Sequence, residues 1–302
     1  MSVSIASQLQ VDLVLREAMR AFKRRVIPIS LCSTVYRDVP LQGTDKVSVP
    51  YYPLVASGTT KDFAYGTGYV AANGTLSYKQ ITVNKRKYQP LELQSAEVNR
   101  QPLLDPAKLG MMMGERLAED VVNDILSVVT AANFGAAVVT GAATSFDTDD
   151  VATIRTVCNQ AMWPKGLAFR GLVLDSAYDG NLVKFLANYS QSGSTGVWQN
   201  GELSEVMGFR YTESPLVPTN AEGLVGFAIN PSAILVAFAP VTPQPAIRAV
   251  MTDYRTYTDP DTGLTLEYRE MGDAYADTTL RLIEANYGYA VGETAALKRI
   301  TT

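Results

Sequence analysis

The sequence predicts an α+β protein in which helical, extended and mixed α/β stretches follow one another. Three observations carry that class. Residues 105–132 place apolar side chains every four residues over a span far longer than a strand. Residues 43–93 and 244–302 alternate apolar and polar positions between Gly, Pro, Asn and Asp punctuation, the period of half-buried strands. Residues 150–243 change from helix to strand and back within short distances, as one compact α/β unit does.

The first element is an amphipathic helix over residues 8–26, with Leu9, Leu13, Met19, Phe22 and Val26 at three- to four-residue spacing. Arg16, Arg20, Lys23 and Arg24 share another face, either a solvated surface or an arm that docks on a neighbour or faces an enclosed polyanion. Residues 43–93 follow as a projecting hairpin. "KVSVPYYPLV" goes out, interrupted by Pro50 and Pro53. A small-residue tip follows, and "KQITVNKRKYQPLEL" returns with Ile81 and Val83 on one face. Such a ribbon buries little by itself and must lie on something else.

Asp105 as N-cap and Pro106 at the first helical position open a helix running to residue 132, about 40 Å long at 1.5 Å per residue. Leu109, Met113, Leu117, Val121, Ile125 and Val129 form its apolar stripe, and Glu115, Glu119, Asp120 and Asp124 fill other faces. A second helix spans Asp147 to Met162, capped by Asp147 or Thr148 and stopped by Pro164. "FRGLVLDSAYDGNLVKFLANY" reads as strand, cap and helix, with Leu182, Phe185 and Leu186 inward. "GELSEVMGFRYTESPLVP" is a glycine turn, a short strand and a proline-stopped exit, and "GLVGFAINPSAILVAF" gives two apolar strands around Asn230-Pro231. In the last part, Leu264, Leu266 and Tyr268 alternate with Thr265, Glu267 and Arg269, and "TTLRLIEANYGYAV" is one more strand.

Composition narrows the function. A chain of 302 residues with 47% hydrophobic and 19% charged residues is globular and large enough for a real core. Its net charge of −4 is not that of a protein that grips nucleic acid. No apolar run is long enough to span a membrane. The N-terminal charges follow the apolar stretch, the reverse of a signal peptide, so the chain is expected to stay in a cytoplasm. Cys32 and Cys158 stand apart from any metal-binding spacing and are expected to be free thiols.

Chemistry-bearing motifs fail in turn. Histidine is absent, which removes the usual general base, the common triads and the commonest metal ligand. "GTGYVA" at 66–71 fits a dinucleotide fingerprint but lacks the flanking strand and helix. Asp259, Asp261 and Glu270 hint at a calcium loop, yet Leu264 stands where glycine is needed, so a hairpin turn is expected. The carboxylates at 115, 119, 120 and 124 read as a solvated or interface face. The expectation is a non-enzyme without cofactor or metal.

The order of elements is the informative feature. It resembles the major capsid proteins of tailed bacteriophages, with the Hong Kong 97-like fold that encapsulin shells share. "KVSVPYYP" and "YKQITVNKRKYQPLELQSAEV" resemble the two strands of that family's extended loop. "LLDPAKLGMMMGERLAEDVVNDIL" resembles its spine helix, "GLVLDSAYDGNLVKF" and "NGELSEVMGFRYTESPLVP" its axial domain, and "YGYAVGETAALKRI" its C-terminal strand. The resemblance implies an N-terminal arm (1–42), an extended hairpin loop (43–93), a peripheral domain with the spine helix (94–149), an axial domain (150–243) and peripheral strands (244–302). It implies hexamers and pentamers of this chain in an icosahedral virion shell around double-stranded DNA, assembled in the host cytoplasm. A separate scaffolding protein, a portal and decoration proteins would be its partners. Encapsulin-type shells and an α/β enzyme with an unrecognised site are the alternatives. Gly193, Gly196, Gly201 and Gly208 would give adaptable axial-domain loops at subunit contacts. Lys85, Arg86 and Lys87 on the hairpin's return strand would meet Glu115, Glu119, Asp120 and Asp124 of an adjacent subunit. Lys61, Lys79 and Asn286 do not match the motif of relatives that crosslink, so no crosslink is expected.

Overall fold

The computed structural model describes residues 5–37, 46–51, 65, 77–94, 105–189, 205–273 and 275–302. In chain order the elements are α1 (Ile5–Arg25), β1 (Ser33–Tyr36), β2 (Lys46–Tyr51), β3 (Ser77–Thr82), β4 (Lys85–Gln94), α2 (Pro106–Leu126) and α3 (Ala131–Phe134). Then come β5 (Val139–Thr140), α4 (Thr148–Gln160), β6 (Gly171–Leu174), α5 (Ser176–Tyr189), β7 (Glu205–Val206) and β8 (Phe209–Glu213). The chain closes with β9 (Leu224–Ile229), β10 (Ile234–Phe238), α6 (Pro245–Arg248), β11 (Asp253–Thr258), β12 (Thr265–Asp273), β13 (Thr278–Val291) and β14 (Leu297–Thr301).

Two sheets organise them. In the first, strands run β1-β10-β13-β12-β11, and β4 also pairs with β13. In the second, the order is β5-β14-β9-β6-β8-β7. The main core lies between α1, α2 and the first sheet, where Leu15, Phe22, Leu117, Val121, Tyr268, Ile283 and Tyr287 are buried together. Alternation along the second sheet divides its faces. Leu172, Leu174 and Ala228 pack with Ile154 and Cys158 of α4 and Leu182 of α5. Val173, Phe227 and Ile229 point the other way into the main core.

Local chemistry explains the helix starts. Asp105 accepts from Ala107 N at 3.0 Å, with proline at the first turn of α2. Asp147 and Asp150 form a reciprocal capping box on α4. The end of α2 is different from the expectation. The helix stops at Leu126, about 32 Å long by its residue rise, and Asn220 Nδ2 donates to the carbonyls of Leu126 and Val129 at that end. That cap comes from 94 residues away and no local pattern shows it. The expected stripe of α1 is buried at Met19, Phe22 and Val26 and half-buried at Leu13, and it is wider than expected, with Val11, Val14, Leu15 and Ala18 also buried.

Two further expectations are corrected. The two strands around Asn230-Pro231 lie in different sheets, β9 in the second and β10 in the first. Asn230 is buried there, donating to Phe169 O and accepting from Ser232, so the turn moves the chain between sheets. β14 crosses back to pair with β9 and β5, so sheet membership does not follow the division at residue 243 or the grouping of 244–302. Lastly, Glu267 and Arg269, expected on a polar outer face of β12, are 1% and 5% exposed. The turn at Asp259 does form as expected, with Asp259 accepting from Thr262 and Gly263 at φ +76°.

Candidate functional site: assembly surfaces

The expected return strand is two strands. β3 pairs with β2 as a separate two-stranded ribbon, and after Val83 and Asn84 the chain changes partner so that β4 runs along β13. The ribbon is rooted on one face. Val47, Val49, Ile81 and Val83 are buried against Leu235, Ala237 and Ala239 of the first sheet. Gly288 permits the approach, since a Cβ there would lie 2.1 Å from Thr82 O. Tyr78 on the outward side is 64% exposed. The "GTGYVA" segment and Lys61 lie outside the described residues.

The basic run therefore sits on β4, inside the subunit's own sheet. Lys85 Nζ lies 3.0 Å from both carboxylate oxygens of Asp124 and 2.6 Å from Tyr289 Oη. Tyr287 Oη donates to Asp124 at 2.7 Å. The hydrogen bonds from Tyr287 and Lys85 outweigh burial and lower the Asp124 pKa, and the Tyr289 and Asp124 contacts raise that of Lys85. Both groups are thus held ionised, which makes a salt bridge and not a nucleophilic amine. Arg86 pairs with buried Glu284 of β13, and Lys87 is exposed. The contact expected between subunits is corrected for Lys85, Arg86 and Asp124: opposite charges meet, but within one chain. Lys85→Glu is accordingly expected to destabilise the folded subunit itself, by about 1.5–3 kcal/mol, the range for charged hydrogen bonds. A urea midpoint equal to that of the parent chain would contradict this.

The other three acids of α2 remain at the surface. Glu115 lies 3.8 Å from Arg24 of α1, Glu119 3.5 Å from Arg116, and Asp120 is exposed. Glu115 and Glu119 border an open groove of about 580 Å³ between β4 and α2, with Gln89, Met111, Met112 and Arg116 also on its walls. Met112 on its wall is 56% exposed. A methionine-lined groove with a charged rim suits a protein contact more than a small polar substrate. The basic face of α1 is largely compensated: Arg16 and Arg20 approach Glu17, and Lys23 approaches Asp259 and Asp261.

Of the four glycines expected at axial contacts, Gly193, Gly196 and Gly201 lie outside the described residues. Gly208 forms the two-residue turn between β7 and β8 with Met207, both at positive φ (84° and 48°). No atom lies within 4 Å of a Cβ built on Gly208, so the turn faces open space at the sheet's edge. Of the residues considered for crosslinking, Lys79 Nζ donates to Val291 O and Asn286 is buried, donating to Glu267. Cys32 and Cys158 are free and buried, and burial pushes both thiols up to about 12. Among the described residues no group of three or more His, Cys, Asp or Glu is placed to hold a metal, and no helix is long and apolar enough to cross a membrane.

No protein-family model matches the chain, and no curated protein matches it either. Solved structures do. The chain is similar to a subunit in the capsid of the cyanophage P-SCSP1u, with TM-score 0.58 and 13% identity over 90% of this chain and 86% of that one. It is similar to a chain of the bacteriophage PhiM1 mature capsid, with TM-score 0.54 and 13% identity over the same shares, 90% and 86%. A chain of the holo-SrpI encapsulin complex from Synechococcus elongatus PCC 7942 matches with TM-score 0.51 and 11% identity over 91% and 86%. The fold is the Hong Kong 97-like capsid fold.

Proposed function

We propose that the chain is the major capsid subunit of a tailed phage, self-assembling as hexamers and pentamers into an icosahedral shell around double-stranded DNA. The observation that supports it is the extent of the likeness: 90% of the chain is covered by the match to each of two phage capsid subunits, with TM-scores of 0.58 and 0.54. The surfaces agree in kind. A ribbon rooted on one face, a methionine groove with a charged rim and an open turn at a sheet edge are features a single subunit leaves uncovered. In this reading Glu115, Glu119, Asp120 and Lys87 are the surface charges that meet a neighbouring copy, the Gly208 turn lies at an axial contact, and the subunit is structural and not an enzyme. The net charge of −4 lets enclosed DNA lie against the wall without being gripped. A scaffolding protein, a portal and decoration proteins complete the virion, which assembles in the host cytoplasm.

The encapsulin likeness supports a second reading, a nanocompartment shell with a protein cargo. Electron microscopy of the expressed and concentrated chain tests both. Closed shells or hexamer and pentamer rings are the expected result. Packaged DNA in particles from the native source selects the phage shell, and a bound enzyme selects the compartment. A chain that stays monomeric at high concentration with its native scaffold present overturns both readings.

A further inference from the structure

The unexpected burial of Glu267 and Arg269 belongs to a cluster on the face of the first sheet opposite α2. Glu267 of β12 and Glu284 of β13 stand directly across from each other in the strand register, two like charges 1% and 0% exposed. Arg269 Nη2 bridges them, 3.0 Å from Glu267 Oε2 and 2.5 Å from Glu284 Oε1. The second cation is Arg86, whose Nε donates to Glu284 Oε2 at 2.8 Å with Nη2 on the same oxygen. Arg86 belongs to β4, whose pairing among the described strands is with β13 alone.

Two carboxylates and two guanidiniums balance only while β4 is docked. The two acids are held differently. Beyond Arg269, Glu267 accepts from Asn286 Nδ2 at 2.8 Å, Val241 N at 2.7 Å and Tyr254 Oη at 3.3 Å. Glu284 has guanidiniums alone and no exposed surface, so it is the acid that takes a proton. With Glu284 neutral, Arg269 keeps Glu267 as its counterion. Arg86, with a side chain 47% exposed, loses its charged partner and turns to water. Lys85 and Asp124 lie on the other face of β13 and are not part of this balance.

We propose that the Glu267–Arg269–Glu284–Arg86 cluster is a proton-sensitive clasp: protonating Glu284 releases Arg86 and loosens β4, the strand that follows the projecting ribbon, while the rest of the sheet stays formed. Burial, reinforced by Glu267 and opposed by Arg86 and Arg269, pushes the Glu284 carboxyl up to about 7, within reach of ordinary pH changes. The clasp is a property of the single subunit and does not depend on the shell reading.

Hydrogen exchange on the unassembled full chain tests it, with β9 of the second sheet as internal reference. After correction for intrinsic rates, protection of β4 amides should fall about tenfold or more between about pH 8 and about pH 5, while β9 protection holds. Glu284→Gln and Arg86→Met should each show the low β4 protection at both pH values. The clasp is overturned if β4 protection in the parent chain does not change, if β9 falls in parallel, or if either variant keeps the parent's pH dependence. The parent chain decides the matter even if a variant fails to fold.

Discussion

Gly114→Val is expected to destabilise the subunit by about 3 kcal/mol or more, the upper part of the range for overpacked cores. A Cβ on Gly114 would lie 2.2 Å from Ala18 O and 2.7 Å from Ala18 Cα, and one on Gly110 would lie 2.3 Å from Val14 O. These are backbone atoms of α1, so no side chain can swing aside. The helices meet through two glycines four residues apart, and adding a side chain to either drives α1 off α2. Helix propensity alone predicts the opposite sign, since glycine in a helix interior is about 1 kcal/mol worse than alanine. Gly114→Ala is therefore the sharper variant. Urea unfolding should show it less stable than the parent, and a stability gain would mean that α1 does not rest on α2 as described. Of the ion pairs of α1 with the β11–β12 hairpin, Asp12–Arg255 has a 66% exposed carboxylate and contributes little, and Lys23–Asp259 is a single contact at the end of the helix, so the two do not replace that packing.

Arg269→Met is expected to be nearly as costly. It removes the bridge between Glu267 and Glu284 and leaves two buried carboxylates with Arg86 alone. Losing one partner of a buried ion pair costs about 3–5 kcal/mol. The pH dependence has a definite sign. The Glu284 pKa is raised in the folded state, from an ordinary 4.5 to about 7, so the native chain binds more protons than the unfolded one across that interval. Measured against the unfolded chain, its favourable contribution is complete below the ordinary value and is lost as pH rises through about 7; the loosening of β4 compares two other states, in both of which Glu284 stays buried and only Arg86 is gained or lost. Removing Arg269 takes away a cation that lowers this pKa, so the deficit of the variant should be largest at about pH 8 and narrow as Glu284 protonates. Urea midpoints of parent and variant at several pH values measure it. A deficit that is constant or widens toward acid would contradict the assignment of the proton to Glu284.

The two cases differ in how legible they were. "GMMMG" stands openly within the long helix, but spacing identifies two small residues and not what approaches them. In the same way, "LTLEYREM" alternates as a half-exposed strand does, and nothing local announces that β13 and the segment at Val241 will cover its polar side. The basic run at 85–87 and the acids of α2 were visible as complementary charges. Which subunit each partner belongs to was not, because the change of partner at Val83 and Asn84 depends on β13, some two hundred residues away.

What the sequence by itself determined were the elements whose causes are local. These include the Asp105 and Asp147 caps, the apolar stripe from Met113 to Ile125, the turn at Asp259 and the bounds of β13 from Thr278 to Val291. Periodicity and capping act within a few residues, so they can be read without a fold, and their order was enough to point to a capsid-like architecture. Only the tertiary structure decided where α2 ends, which sheet receives β10 and β14, that β3 and β4 part company, and that three buried charges, with Arg86 at their edge, sit at the centre of the first sheet. Each of those rests on a backbone or charged group satisfied by a partner far along the chain, and burial, which makes such pairing obligatory, is a property of the assembled core and not of any segment.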